Sequence, residues 1–419
     1  MGFESFSQAQ HFFLWSIFAI AVVMGALVHK TNFCTMGAVS DWVNMGDTGR
    51  MRAWLLAIAV ALLGVTILEA ADLVNPDNAF PPYRGSTLIW AENLLGGLLF
   101  GIGMTLGSGC ANKTLIRIGG GNIKSIMMLL IIAVIAYYMV NPFPDSDKTL
   151  FTVLFIDWIR PLAINLKTNQ DLGAMIAGED AGTARLVIGL LLATTILFFV
   201  FKSLDFRGNF DNILGGLVVG LAVLGAWYIT SNVAIDLDGE QYSLRSYTQE
   251  WDFIAESDEG KPADSRPLSP QSFTFINPTG QTLGYAMSRF NSAYVTFGVV
   301  ALAGVILGSL FWSVVSKGFR IEWFASFKDF VMHFFGAALM GFGGVLGLGC
   351  TIGQGVTGVS TLALGSFITF GAIVLGSALT MKTQYYKMLY EDASIFAALV
   401  TALVEVRLLP KGFRKLEAL

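Results

Sequence analysis

Charge is scarce in this chain. Of 419 residues, 13% are Asp, Glu, Lys or Arg, about half the share of an ordinary soluble domain. Hydrophobic residues make up 54%, and the mean hydropathy is +0.63. A soluble globular domain is excluded, and the chain reads as an integral membrane protein. The net charge of −4 says little about partners, because the charges fall in loops. Cysteine is scarcer still. The three present cannot all pair and all lie in or beside apolar segments, which argues against a disulfide framework. No CxxC or HExxH pattern occurs, so a conventional zinc or redox-metal site has no support, and no cofactor is expected. No Walker motif, Ser-His-Asp signal or usefully spaced carboxylate pair appears, which argues against ATP-driven transport and ordinary hydrolysis. The N-terminal MGFESFSQAQ lacks the basic residues of a secretory signal, so the first apolar run is expected to stay as a permanent span.

Glycine, by contrast, is abundant at 46 residues, and it is patterned. The stretch GGLLFGIGMTLGSGCANKTLIRIGG (96–120) is echoed 240 residues later by GAALMGFGGVLGLGCTIGQGVTG (336–358). Gly96, Gly101, Gly103, Gly107, Gly109 and Cys110 fall on Gly336, Gly341, Gly343, Gly347, Gly349 and Cys350. Glycine at this density is costly in a soluble helix. In a membrane, small residues let helix backbones approach closely. A helix can also break there, provided that protein or a polar cavity surrounds the freed backbone groups. Each stretch is therefore expected to descend as a helix, break near its Gly-Cys pair and continue as a loop or second helix.

About 20 apolar residues cross a bilayer. Nine spans are expected, at 11–29, 53–71, 93–109, 123–140, 184–202, 212–230, 292–315, 330–349 and 360–381. Segment 150–166 looks interfacial. The run 393–409, broken by Glu405 and Arg407, is expected to lie at the cytoplasmic surface. The positive-inside rule puts loops 30–52, 112–124, 202–211 and 316–329 in the cytoplasm. The segment 231–290, with nine acidic and four basic residues, goes outside as a polar insertion. The N-terminus is then external and the C-terminus cytoplasmic. With this orientation the two Gly-Cys elements run in opposite directions, so the repeat is inverted. A weaker echo sets Gly25–Thr35 on Gly220–Thr230 at an offset of 195, with Cys34 opposite Ile229. The fold class is thus an all-α membrane protein, an inverted-repeat bundle with two broken or re-entrant helices. Its halves are 1–202 and 203–419. Inverted repeats with broken helices are a transporter architecture, with the substrate site between the halves.

The candidate path residues are Cys34, Cys110 and Cys350. A line of thiols separated by helix breaks offers soft donors to an anion with a sulfur or selenium end. Helix N-termini can meet the oxygens of such an anion. Lys113 and Arg117, just past Cys110, could neutralise its charge, although ordinary membrane anchoring also explains them. Asn112, Gln354, Gly109 and Gly349 are further candidate contacts. Asn32 and Asp41 read as cap or turn residues, and His29 and His333 as structural. Glu69 and Glu92 read as interfacial. Two other classes stay open on these residues alone. One is a membrane thiol enzyme that relays sulfane sulfur through a cysteine persulfide, with Lys113 lowering the pKa of Cys110. The other is a scaffold without transport.

Three motifs, NFCTMGAVSD (32–41), GSGCANKTLIRIGGGN (107–122) and GFGGVLGLGCTIGQGVTG (341–358), resemble the YeeE/YedE family of sulfur-compound transporters. The resemblance follows the order of elements along the whole chain. It implies an hourglass-shaped inverted-repeat bundle in an inner membrane that imports thiosulfate or a similar small sulfur anion. It further implies that Cys34, Cys110 and Cys350 hand the anion along through S–H···S hydrogen bonds. A cytoplasmic sulfur-carrier protein of the TusA type is the implied partner. A selenium compound is the alternative substrate, because it shares the soft-atom chemistry.

Overall fold

The computed structural model of the chain describes residues 1–237, 239–251 and 268–417. Among the described residues, nine helical segments are long and apolar enough to cross a bilayer. In lipid a backbone must satisfy its own N–H and C=O groups, and a helix does so within one segment. In chain order the main helices are α1 (Phe6–Thr31), α2 (Thr35–Ser40), α3 (Gly49–Ala70), α4 (Trp90–Leu106), α5 (Ala111–Gly119), α6 (Ile123–Val140) and α7 (Ala181–Phe201). They continue with α8 (Phe210–Asn232), α9 (Asn277–Met287), α10 (Phe297–Val315), α11 (Phe327–Leu346), α12 (Leu364–Leu389) and α13 (Ile395–Glu405). Polar caps start several of them. Ser5, Asn122, Thr296 and Ser326 each accept a backbone N–H from the first turn. Every expected span is present with shifted ends. Helix α13 has 11 residues, roughly 17 Å, too short to cross a core of about 30 Å. It lies against α12 instead.

The bundle is organised around α4 and α11, which cross with backbone on backbone. A methyl group placed on Gly103 would sit 2.6 Å from the Gly336 carbonyl oxygen and 2.8 Å from the Met340 nitrogen. One placed on Gly343 would sit 2.6 Å from the Gly96 oxygen and 2.5 Å from the Phe100 nitrogen. Adding 240 to the first half-chain residue in one contact gives its counterpart in the other. Gly336 in turn abuts Gly107, and Gly96 abuts Gly347, so the two helices run antiparallel. The same exchange relates the outer pairs. Helix α1 packs on α10 as α8 packs on α3, and α2 packs on α3 and α12 as α9 packs on α10 and α6. Gly25 faces the Val305 carbonyl, and its counterpart Gly220 faces the Ala57 carbonyl.

Charges gather on two faces. On the basic face Lys30 approaches Asp211 at 4.0 Å and Lys124 pairs with Asp329 at 2.9 Å. Arg52 donates to the Val200 carbonyl at 3.2 Å. The N-terminal amine meets the Asn232 carbonyl at the opposite end of the bundle. There Gly2–Phe3 pairs parallel with Ala234–Leu237, which pairs antiparallel with Glu240–Ser243. This small sheet belongs to the insertion at 231–290, of which 252–267 lies outside the described residues. The end of the insertion packs inside the bundle. Phe273, Phe275 and Ile276 are fully buried, and α9 packs on membrane helices. A short polar-apolar alternation bounded by Pro278 looks like a linker, yet here it fills the place that α2 fills in the first half.

On the face opposite the basic one a buried ion network anchors the turn that follows Cys350. Arg84, 1% exposed, binds Glu69 at 2.5 and 2.8 Å and donates to the Thr361 carbonyl at 2.7 Å. Arg185 binds Asp171 at 2.8 and 2.7 Å and reaches Glu69 at 3.1 Å. Burial alone would raise the pKa of Asp171. The hydrogen bonds from Arg185 and the Ala174 N–H outweigh it and hold the carboxyl below its usual range.

Two predictions follow from this packing. Gly103→Val forces a side chain into a backbone and should lower thermal stability in detergent by at least the roughly 1–3 kcal/mol of an overpacked core. Gly371→Ala, where nothing lies within 4 Å, should leave the melting temperature unchanged or slightly higher; equal effects of the two would contradict the backbone contact. Arg185→Met leaves Asp171 charged, buried and short of its main partner, a loss of about 3–5 kcal/mol. Because the paired Asp171 has a depressed pKa, the network stabilises above the unfolded carboxylate pKa and fades below it. The gap in melting temperature between wild type and Arg185→Met should therefore narrow as pH falls through the acid range.

Candidate functional site

All three cysteines follow the same backbone device. Helix α1 closes with Asn32 in the left-handed conformation (φ 51°), then Phe33, then Cys34. Helix α4 closes with Ser108 (φ 58°), Gly109 and Cys110, and α11 with Leu348 (φ 57°), Gly349 and Cys350. The closing bonds match one for one. Phe33, Gly109 and Gly349 donate to the carbonyls of Val28, Met104 and Gly344 at 3.3, 2.8 and 2.8 Å. The chain after each cysteine is helical again. Glycine does not make these turns. The left-handed residues are Asn32, Ser108 and Leu348, while Gly107 and Gly347 have φ near −84° and −80°. Leucine in that conformation costs about 1–2 kcal/mol. The glycines serve close approach, because Gly336 and Gly96 press against Gly107 and Gly347.

The breaks bring the thiols together. Cys110 lies within electrostatic range of both Cys34 and Cys350, with the Thr351 hydroxyl beside it. Cys350 receives the Gly353 N–H at 3.4 Å and also faces the backbone of Phe275 and Ile352 and the hydroxyl of Thr274. Exposure is 6% for Cys34, 2% for Cys110 and 0% for Cys350, so all three thiols are shut off from solvent in this conformation. Neither Cys34 nor Cys110 uses its side chain to cap the helix it begins.

The other expected contacts divide. Lys113 hydrogen-bonds the Asn32 side chain and lies near Cys34, Cys110, Arg117 and Arg50. It thus ties the turn of Cys34 to the helix of Cys110. Arg117 stands behind it, near Gly109. The buried Asn112 has an unpartnered Oδ1. Gln354 donates Nε2 to the Gly347 carbonyl at 2.6 Å, which pins the break, and its Oε1 is unpartnered. The N–H groups of Gly109 and Gly349 are spent on the closing bonds, which leaves these residues a hinge role. His29 bonds Ser309 at 2.8 Å, and His333 bonds the Asp329 carbonyl at 2.8 Å. Glu92 pairs with Arg160 at 3.0 Å.

Several neighbours were not singled out from the sequence. The hydroxyls of Thr35, Thr274 and Thr351 are buried without a well-formed hydrogen bond. The Cys-Thr dipeptides at 34–35 and 350–351 were a legible sign of two of them. Arg50 sits over Gly37, near Cys34, and binds Asp41 at 2.6 Å through Nη2. In the sequence it passes for a membrane anchor. Tyr83, 2% exposed with an unpartnered hydroxyl, lies near Cys350 on the loop before α4. Burial pushes its pKa far upward, with Cys350 adding to the shift, so it stays a neutral donor.

A buried polar atom without a partner costs roughly 1–3 kcal/mol. Here such atoms cluster round three free thiols, with Lys113 and Arg50 at the Cys34 end. An anion with a soft end and hard oxygens would satisfy the donors among them: thiols for the soft atom, and the hydroxyls of Thr35, Thr274 and Thr351 for the oxygens. The amide oxygens of Asn112 and Gln354 are acceptors and would need a donor instead.

Residues 30–379 match the family described as sulphur transport. The thiosulfate transporter TsuA of Escherichia coli is 22% identical over 366 residues, which cover 84% of this chain and 90% of that protein. The thiosulfate transporter TsuA of Spirochaeta thermophila is 21% identical over 373 residues, covering 87% and 97%. These likenesses favour transport over the thiol-enzyme chemistry that the cysteines alone left open. The chain, a multi-pass membrane protein with three thiols set at matched helix breaks, belongs to the sulphur-transport (YeeE/YedE) family.

Proposed function

We propose that this transporter imports thiosulfate or a similar small sulfur-containing anion across a bacterial inner membrane, along a path lined by Cys34, Cys110 and Cys350. One observation carries the reading. Three thiols occupy the same position after three matched helix breaks, with partnerless polar atoms beside them. The two relatives named as thiosulfate transporters support the substrate. A selenium analogue is the alternative, since it meets the same donors. The N-terminus is placed outside and the C-terminus in the cytoplasm, with the halves at 1–202 and 203–419. Lys113 and Arg50 then stand at the cytoplasmic end, where they draw the anion inward. A TusA-type carrier would receive the sulfur there.

The test is uptake of thiosulfate labelled on its outer sulfur, in cells lacking other importers. Wild type should accumulate label, and Cys110→Ala and Cys350→Ala should lose tenfold or more at similar expression. Each variant removes one S–H donor, and a hydrogen bond to a charged ligand is worth about 1.5–3 kcal/mol, which gives at least that factor. Normal uptake by either variant removes that thiol from the path. No uptake by well-expressed wild type, with uptake of selenosulfate, moves the substrate to selenium.

A further inference from the structure

The path has a fourth station that is not a thiol. The offset of 240 that relates Cys110 to Cys350 also sets Asn32-Phe33-Cys34 on Ser272-Phe273-Thr274. The surroundings agree. Phe33 stacks on Trp54 at 4.7 Å, and Phe273 packs on Phe297 at 5.6 Å. Those ring partners lie in α3 and α10, which correspond under the inverted repeat. Helix α2 follows Cys34, and α9, with the corresponding packing, follows Thr274. The shorter offset of 195 pairs α1 with α8 but fails beyond their ends. The first part of the insertion lies between α8 and Ser272, so Thr274, the partner of Cys34, falls 42 residues past Asn232, the last residue of the helix. Cys34 faces Thr274 across the pseudo-symmetry, not Ile229.

We infer that Thr274 is a substrate-contacting residue at the outer end of the path, where its hydroxyl donates to an oxygen of the incoming anion. Three observations support this. Thr274 is 5% exposed, and its Oγ1 has no well-formed hydrogen bond. The hydroxyl lies beside Cys350 and against Gly349 and Gly353, where any side chain at 353 would displace it. Tyr83, with its own buried and partnerless hydroxyl, also lies within electrostatic range of Cys350. The order is therefore Thr274, Cys350, Cys110, Cys34, symmetric in position and asymmetric in chemistry. At the Cys34 end stand Lys113 and Arg50. At the Thr274 end the counterpart of Lys113 is Gly353. A neutral hydroxyl outside and cations inside let an oxyanion be recognised by its oxygens first, without a charge trapping it at the mouth.

This inference rests on the proposed path, and the test separates the two. Purified protein is reconstituted into liposomes, and thiosulfate uptake is measured for wild type, Cys110→Ala, Thr274→Val, Thr274→Ala and Thr274→Ser. Thr274→Val keeps the shape and removes the hydroxyl. It should raise the KM for uptake roughly tenfold with its melting temperature near wild type, and Thr274→Ser should restore transport. If Thr274→Val folds poorly, Thr274→Ala gives the same comparison against Thr274→Ser. Wild-type KM in the hydroxyl-free variants, or equal impairment in Thr274→Ser, overturns the role of Thr274 while leaving the thiol path standing. A wild type that transports nothing, or a fully active Cys110→Ala, overturns the path and this station with it.

Discussion

The contact between α4 and α11 is the constraint from which the rest follows. Two helices can cross with carbonyl against nitrogen only where neither bears a side chain, and Gly96, Gly103, Gly336 and Gly343 supply that bare surface. Lipid tails are as apolar as leucine, so hydrophobic burial gives little drive between helices in a bilayer, and close packing takes its place. The crossing also sets the site. Because the helices run antiparallel and break at matched residues, the chain beyond each break turns toward the other. Cys110 and Cys350 therefore meet near the pseudo-two-fold axis instead of at opposite surfaces.

Strain and polarity are concentrated at these breaks. Leu348 holds a left-handed conformation that leucine avoids, and Gln354 fixes the same break through the Gly347 carbonyl. Hydroxyls of Thr35, Thr274 and Thr351 and amide oxygens of Asn112 and Gln354 stay buried without partners. A stable resting protein satisfies such atoms. The hydroxyls, grouped round three thiols, are donors suited to a ligand that brings acceptors and a soft atom, whereas the two amide oxygens call for a donor. The Arg84–Glu69 and Arg185–Asp171 network holds the turn that follows Cys350 against the surrounding helices.

Much of this was legible in the sequence. The low charge and apolar runs gave the spans, since a bilayer sets their length. The Gly-Cys repeat survived as an ungapped pattern because both copies meet the same steric demand at the same positions. What escaped had physical causes. Thr274 lies beyond an insertion that breaks the repeat, and a hydroxyl replaces the thiol that would have marked it. Arg50 looks like any basic residue at a helix end, and only the fold brings it over Gly37. Tyr83 comes from a loop whose sequence shows no sign of returning to the core. Ser108 and Leu348 make the turns at the breaks, and the glycines beside them make room for the facing backbone.

The central claim is that a soft-ended anion passes between these thiols. The most direct measurement is a crystal structure with selenosulfate, in which the selenium is located by its anomalous scattering. The account predicts a selenium peak in contact with Cys110 or Cys350, with the oxygens toward the neighbouring hydroxyls and backbone N–H groups. A well-occupied anion at a site touching none of Cys34, Cys110 and Cys350 would contradict it.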